Sequence, residues 1–369
     1  MTDVHLPQSG PASAGDSVSH VPADVRVIDL FAGAGGLTTG FVATGRFRPV
    51  SAVEHDEHAA ATYALNHGEH VHVGDIAAYA AGSFPRADVV LGGPPCQGFS
   101  LLGKRDADDP RNRMWEQYLR VLQRVRPAFF VMENVPLFLD SRDFRALVAE
   151  TQPGGRLEAW ELEAWNLNAA EHGAAQNRRR AIIVGRRTGI RPLGRPEPEP
   201  ARKRLRDVLD DLDRVPGAAA LPQSVVEVNG SVVPGAFKAR DLHFMPPMTA
   251  LSIQRFRHIP YGGSRLDLPD HLQAHCWRGN TRSAADVMGR MVWEKPSITL
   301  RTEFFRPEKG RFLHPEQDRP ITHHEAARIQ GFPDDYVWAG TRSSIARQIG
   351  NAVPPPLARA VAERLLGRL

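Results

Sequence analysis

The chain has 369 residues, 42% of them hydrophobic and 24% charged, a composition that supports a packed core and excludes wholesale disorder. Its two cysteines, Cys96 and Cys276, cannot build a disulfide framework, no CxxC pair suggests structural zinc, and no apolar run is long enough to span a membrane. The net charge of +4 and pI near 9.3 are only mildly basic, but eleven Lys and Arg against two Glu fall between Gln176 and Arg206, a run that reads either as solvated surface or as a phosphate-facing patch.

Residues 1–24 are rich in Ser, Ala, Pro, Gly and His, lack an apolar period and a signal-peptide core, and read as a mobile tail. From Val25 strands and helices alternate. Val25–Phe31 is an apolar strand that opens into glycine-rich sequence, and Leu37–Val42 follows as a helix. Pro49–Glu54 predicts a strand, Glu57–Asn66 a helix, and Ala87–Leu91 a buried strand. Asn112–Val125 has helical spacing, and Ala128–Met132 and Arg180–Val184 are further apolar strands. This rhythm predicts an α/β fold with a mostly parallel sheet. Residues 188–318, rich in Pro, Gly, Arg and isolated aromatics, break it and read as a second domain of irregular or short-stranded build. Thr322–Gln330 predicts a helix, and the amphipathic Leu357–Leu366 is suited to packing back on the first domain. The expected division is therefore a tail (1–24), a first domain (25–187), an insert (188–318) and a returning C-terminal segment (319–369).

The motif Asp29-Leu-Phe-Ala-Gly-Ala-Gly-Gly-Leu37 directly follows the first strand. Glycines there let the backbone turn tightly and approach a ligand at the sheet's end, though purely structural turns share the pattern. Glu54, at the end of the second strand, can accept hydrogen bonds from both hydroxyls of a ribose, or be a strand-end surface residue. Asp75 can accept from an adenine amino group, or cap a helix. A sharper signal is Gly92-Gly-Pro-Pro-Cys-Gln-Gly-Phe-Ser100, after Val89-Val90-Leu91. A bare Pro-Pro-Cys occurs by chance in about one chain in a hundred of this size. Paired prolines fix the backbone that presents the thiol. Cys96 is then a candidate nucleophile, the alternative being a small buried hydrophobe. A free thiol with a pKa of roughly 8.5 is only a few per cent thiolate at neutral pH, so the nucleophile needs local help. Glu133, following the strand Ala128–Met132, projects at the same edge. In a partly apolar pocket its pKa would rise, and it could protonate a ring nitrogen; otherwise it is a strand-end salt-bridge residue.

Together with Gln176-Asn-Arg-Arg-Arg180, Arg319-Pro-Ile-Thr322, Glu325-Ala-Ala-Arg-Ile-Gln-Gly-Phe-Pro-Asp334 and Gln348-Ile-Gly-Asn-Ala-Val-Pro-Pro355, these motifs stand in the linear order of the DNA (cytosine-5)-methyltransferases. The sequence resembles that family over most of 25–187 and 319–358. The resemblance implies a Rossmann-like domain that binds S-adenosyl-L-methionine (SAM), with a smaller target-recognition domain inserted at 188–318. It implies Cys96 as nucleophile, Glu133 as the acid facing the base, and Arg178 and Arg180 as the arginines of a Gln-x-Arg-x-Arg motif. Arg180 is expected on the O2 edge of the base and Arg178 on the loop or a phosphate. Around SAM it places Phe31, Ala32, Gly33, Gly35, Gly36, Leu37, Glu54, His55, Asp75, Ile76, Gly92, Pro94, Asn351 and Ala352. His55 departs from the aromatic or apolar residue common after the ribose-binding acid, which puts adenine packing in doubt at that position. Leu101–Arg113 resembles the loop that closes over a flipped base, and Gln97, Ser100 and Arg111 are expected on DNA. Base-edge readers are expected among Arg265, Arg278, Asn280, Thr281 and Arg282, the alternative being phosphate contacts or plain surface. No metal is expected. The implied partners are duplex DNA with a specific cytosine-containing site and a cognate restriction endonuclease, and the implied setting is a monomer in the bacterial cytoplasm, on the nucleoid.

The chemistry explains these residue types. C5 of cytosine is a poor nucleophile until a thiolate adds at C6; protonation at N3 then stabilises the developing charge. The target atoms lie inside a duplex, so the base must be flipped out. A related class acts on RNA cytosine and carries Cys-Phe-Thr after its recognition region; Leu300-Arg-Thr-Glu-Phe-Phe305 lacks it. Readings of other classes are a non-catalytic nucleic-acid binder and a nicotinamide-dependent oxidoreductase on the same sheet.

Overall fold

Val25–Leu30 forms the first strand, β1, and it buries Val27, Ile28 and Leu30 on both of its faces. A strand apolar on both sides belongs inside a sheet covered twice. The structure is a computed structural model that describes residues 24–95, 114–278 and 285–369. After β1 come α1 (Gly36–Val42), β2 (Phe47–Glu54), α2 (Glu57–His67), β3 (Val71–Val73), α3 (Ile76–Ala81) and β4 (Val89–Gly92). Next are α4 (Met114–Val125), β5 (Phe129–Asn134), α5 (Arg142–Glu150), β6 (Trp160–Asn168) and β7 (Arg179–Arg187). The expected N-terminal tail through residue 23 and the first two residues of the expected helix at 112–125 lie outside the described residues.

The seven strands form one sheet in the order β3-β2-β1-β4-β5-β7-β6. Its first five members run parallel, while β7 is antiparallel to both β5 and β6. The alternation read from the sequence predicted a mostly parallel sheet, and β7 is the strand of these seven that runs against the rest. What reverses it is β6, a strand the sequence pattern did not announce: it lies at the sheet's edge, it includes Glu161 and Glu163, and most of it is half-buried or exposed. β3, α3 and α5 were also unannounced, the first being three residues long.

Within 188–318 regular elements are short: α6 (Arg206–Leu209), the hairpin β8 (Val225–Val228) and β9 (Ser231–Pro234), and α7 (Ala250–His258), linked by single 3-10 turns. The chain ends in α8 (His323–Gln330), α9 (Arg342–Asn351) and α10 (Pro355–Leu366). Thr322 starts α8 with a reciprocal cap: its hydroxyl accepts from the Glu325 N–H, and the Glu325 carboxylate accepts from the Thr322 N–H.

One face of the sheet is covered by α1 and α10, which bury Phe41, Leu357, Val361 and Leu365 against Val27, Leu91, Val131 and Val184. Burying side chains of this kind stabilises by roughly 1.5–3 kcal/mol each. The opposite face packs Ile28, Leu30, Val90 and Met132 against Tyr118, Leu122 and Leu147 from α4 and α5. A third core joins the insert to the C-terminal segment, with Leu205, Phe237, Trp293, Leu300 and Phe304 packed against Ile329, Ile345 and Ile349. A separate small core, including Phe256, Ile259, Leu268, Leu272 and Met288, lies farther out in the insert. Arg290 and Arg311 brace it. Arg290 donates to the carbonyls of Phe256, Ile259, His314 and Gln317, and Arg311 to those of Gly262, Gly263 and Arg290.

Much of the basic run between Gln176 and Arg206 is paired within the chain, which qualifies its reading as a phosphate-facing patch. Arg186 meets Glu161 and Glu163, Arg202 meets Glu171, Arg204 meets Asp207, and Arg206 meets Glu294 and Asp210. No helix among the described residues is long and apolar enough to cross a membrane.

Candidate active site

The carboxyl ends of β1, β2, β4 and β5 share one edge of the sheet, the edge where open α/β sheets hold their ligands. As β1 leaves the sheet, Phe31 and Gly33 both take left-handed backbone angles, φ 58° and 56°. That region suits glycine, and for Phe31 it is a local strain. The Gly33 N–H donates to Glu54 Oε2 at 2.8 Å, and the Asp56 N–H donates to Oε1 at 2.8 Å. Burial pushes the Glu54 carboxyl upward, and these N–H groups oppose it. A Cβ on Gly33 would have nothing within 4 Å, so the turn leaves open space beside a carboxylate held by backbone. Each carboxylate oxygen has acceptor capacity beyond its one N–H. The cradle therefore fits a ligand with paired hydroxyls, such as a nucleoside's ribose.

Other expected cofactor residues take varied places. Ala32 is buried next to the turn, and His55 is exposed. Asp75 Oδ1 accepts from the Ala77 N–H at 2.9 Å, the helix-cap geometry, and Ile76 is buried in the α4 side of the core. Asn351 is exposed at the end of α9, and Ala352 is half-buried. For Gly35, Gly36 and Leu37 packing supplies a reason of its own. Leu37 lies in the core; a Cβ on Gly35 would come within 2.8 Å of the His67 ring; and one on Gly36 would stand 2.4 Å from the Val353 carbonyl. The glycine-rich motif thus seats the start of α1 directly on the C-terminal segment.

Beneath that turn lies a buried polar chain with no counterpart in the sequence reading. Thr38 Oγ1 donates to Asp29 Oδ2 at 2.6 Å, while Asp29 Oδ1 is buried without a partner. Burial pushes the Asp29 carboxyl up to about 7. Tyr336 donates to the Ala34 carbonyl, and Thr39 Oγ1 lies 3.1 Å from His67 Nε2. Burial holds the His67 imidazole down at about 4. Asp29 belonged to a quoted motif, and its position inside an apolar strand was the signal.

On the other side of the edge, β4 ends with Gly92 against the ring of Tyr118, whose hydroxyl donates to the carbonyls of Val90 and Val131. Asn134 Nδ2 donates to the Pro94 carbonyl at 3.2 Å and Asn134 Oδ1 accepts from Val135. Asn134 thereby ties the end of β5 to the paired prolines, a role the sequence reading missed inside Met-Glu-Asn-Val. Glu133 and Arg180 project from the same face of β5 and β7, since Glu133 pairs in register with Ile182 and side chains alternate. Glu133 Oε1 meets Arg180 Nε at 2.6 Å, both side chains about one-seventh exposed. The partly apolar pocket expected around Glu133 is in fact shared with a guanidinium. Cys96, Gln97, Ser100 and Arg111, with the loop 101–113, lie outside the described residues.

Arg178 differs from the expectation of a loop or phosphate contact. It is buried, and donates to the carbonyls of Leu300 at 3.1 Å and Gly350 at 2.8 Å. Its neighbour Gln176 accepts from the Leu300 N–H and donates to Gln330 Oε1, and Gln330 donates to the Ile349 carbonyl. Arg178 lies just before β7, where segment 297–300 and the end of α9 close over it and offer backbone carbonyls. The first two polar residues of the Gln-x-Arg-x-Arg motif are thus a strut between the sheet, segment 297–300 and α9, and the third meets Glu133.

Of the expected base-edge readers, Arg265 is buried at the start of the 3-10 turn Arg265–Asp267, with its guanidinium 5.9 Å from the Trp277 ring centre. Arg278 is exposed, and Asn280, Thr281 and Arg282 lie outside the described residues. Among the described residues, no group of three or more His, Cys, Asp or Glu gathers as a metal site.

A family model for C-5 cytosine-specific DNA methylases matches residues 25–367. The chain is 33% identical over 349 residues to the Type II methyltransferase M1.HphI of Haemophilus parahaemolyticus, covering 92% of this chain and 86% of that protein. It is 35% identical over 369 residues to the Type II methyltransferase M.XorII of Xanthomonas oryzae pv. oryzae, covering 93% and 84%. In fold, it is similar to a prophage-encoded E. coli protein described as a DNA modification methyltransferase (TM-score 0.69, 23% identity, 94% of this chain and 99% of that one). It is also similar to S. pombe Dnmt2 (TM-score 0.61, 16% identity, 93% and 98%).

Proposed function

Since this chain belongs to the C-5 cytosine-specific DNA methylase family, we propose that it methylates C5 of cytosine within a specific duplex DNA sequence, with SAM as methyl donor. The observation that carries this reading is the Glu133–Arg180 pair, 2.6 Å apart at the sheet edge that runs into Pro94-Pro95-Cys96. SAM, when bound, supplies an electrophilic methyl carbon. Glu54 would hold its ribose hydroxyls, and the open turn at Gly33 would admit it. Pro94, held by Asn134, sets the backbone that presents Cys96. The target cytosine turns out of the duplex so that its ring lies against this edge. The Cys96 thiolate bonds to C6, and the displaced pair of ring electrons moves to C5. Glu133, once it has taken up a proton, donates at N3 as that charge builds, and Arg180, its ion-pair partner, adds positive potential toward the O2 edge. Once C5 carries the methyl group, whose former sulfur would depart as a neutral thioether, the C5 proton goes to a base and the C6–S bond breaks, restoring the ring and the Cys96 thiolate. A restriction endonuclease cutting the same unmethylated site is the natural partner, and the enzyme works as a cytoplasmic monomer on nucleoid DNA.

Bisulfite sequencing of plasmid recovered after expression should reveal one methylated cytosine context. Cys96→Ala should lose methylation while keeping SAM affinity by calorimetry. DNA with 5-fluorocytosine at the target should accept the methyl group, be unable to lose fluorine as a cation, and stay bonded to Cys96 through denaturing electrophoresis. Cys276→Ser should trap as well as the parent. Turnover by Cys96→Ala, or an adduct on Cys276, would overturn the mechanism.

A further inference from the structure

Arg179 stands between the strut Arg178 and the site residue Arg180. Strand alternation turns it to the face opposite Arg180. It borders a polar hollow of about 460 Å³ at the active-site end of β6 and β7, lined also by Asn168, Asn177, Arg202 and Thr299. We propose that this hollow seats a backbone phosphate of the bound DNA, with Arg179 as its principal cation. The proposal rests on DNA being the substrate, and is independent of the chemistry at cytosine.

The lining contains no carboxylate. Among the described residues, Arg179 is exposed and has no acidic partner, whereas Arg186, Arg202, Arg204 and Arg206 of the same run each have one. The walls are fixed from behind. Buried Asn168 accepts from the Arg178 N–H at 3.0 Å and donates through Nδ2 to Asn177 Oδ1 at 3.1 Å. With its oxygen so used, the exposed Asn177 amide has its NH2 group to offer. Thr299 donates to the Asn177 carbonyl at 2.7 Å and pins the loop. Arg202 gives one nitrogen to Glu171 at 2.6 Å, leaving other N–H groups of its five-donor fork. A ligand here meets donors and positive charge, the recognition chemistry of a phosphate. Free phosphate has the same chemistry. The backbone of DNA is the favoured source because the hollow opens beside the edge where Arg180 meets Glu133.

The test is fluorescence anisotropy of short labelled duplexes of arbitrary sequence, read from about 50 to about 200 mM salt. Losing one phosphate contact should flatten the log–log salt slope by about 0.9 and weaken low-salt binding roughly tenfold, by the same factor for every duplex. Arg179→Ala should show this, Arg179→Lys should recover most of it, and SAM affinity should not change. Arg191→Ala, an exposed arginine past the opposite end of β7, should match the parent. Arg179→Ala with the parent's slope and affinity would overturn the proposal. So would a variant that loses affinity for inorganic phosphate alone, since that would place a free ion in the hollow. A parent with no salt-dependent DNA binding would instead overturn the DNA reading itself, and this seat with it.

Discussion

Replacing Asp29 by asparagine should change how stability depends on pH far more than it changes the fold. Asp29 is 1% exposed in the middle of an apolar strand; one oxygen accepts from Thr38 and the other has no partner. Burial, and to a smaller extent the nearby Glu54 charge, lift its carboxyl from 3.8 in the open chain to about 7, against the Thr38 bond. A raised carboxyl binds its proton more tightly in the folded state. It therefore costs nothing extra below about pH 4, and its cost grows as pH rises until the folded group has ionised near pH 7. At about 1.4 kcal/mol per pH unit, the whole window is on the order of 4 kcal/mol, and the part between about pH 5 and pH 8 is roughly 3 kcal/mol. The replacement amide cannot ionise. Its oxygen keeps the Thr38 bond, and its NH2 group stands where the orphan oxygen was, at a cost of about 1–3 kcal/mol that does not vary with pH. Urea unfolding of both proteins from about pH 5 to pH 8 should show Asp29→Asn gaining on the parent by most of that 3 kcal/mol. A difference constant across the range would refute the claim that Asp29 is a carboxyl neutralised by burial.

The remaining expectations concern the site and its supports. Arg178→Ala should cost roughly 2–4 kcal/mol, because the Leu300 and Gly350 carbonyls are left bare inside the protein, and Arg178→Lys should recover little since one ammonium cannot span both; chemical denaturation reads this. Gly36→Ala and Gly33→Ala should separate packing from binding. The first drives a methyl to 2.4 Å from the Val353 carbonyl and should loosen α10, seen as early hydrogen exchange there. The second meets no atom but fills the cradle at φ 56°, and should cost only about 1 kcal/mol of stability while weakening SAM binding in calorimetry. Glu133→Gln should lower single-turnover methylation by about 10²–10⁴ with DNA affinity little changed, and an unaltered rate would make the side chain structural.

The glycine-rich turn, the Pro-Pro-Cys strand end, Glu133 and the Gln-x-Arg-x-Arg run were legible as motifs because their chemistry is local: a few residue types at short spacing. The core strands were legible for the same reason, since Val27, Leu91 and Val131 sit in short apolar runs. Whether a motif residue binds or merely packs was not legible. Leu37 turned inward onto α10, Gly36 stands against Val353, and Arg178 is buried against Leu300 and Gly350, because their surroundings come from segments far along the chain; Asp75, by contrast, caps its own helix at Ala77. The pairing of Glu133 with Arg180 likewise needed β7 to run antiparallel beside β5, and that depended on an edge strand, β6, whose half-exposed pattern carries little apolar signal. The sequence by itself determined which residue types reach the sheet's edge. Only the tertiary structure decided which of them face one another there, because register and strand direction are properties of long-range pairing that no local pattern encodes.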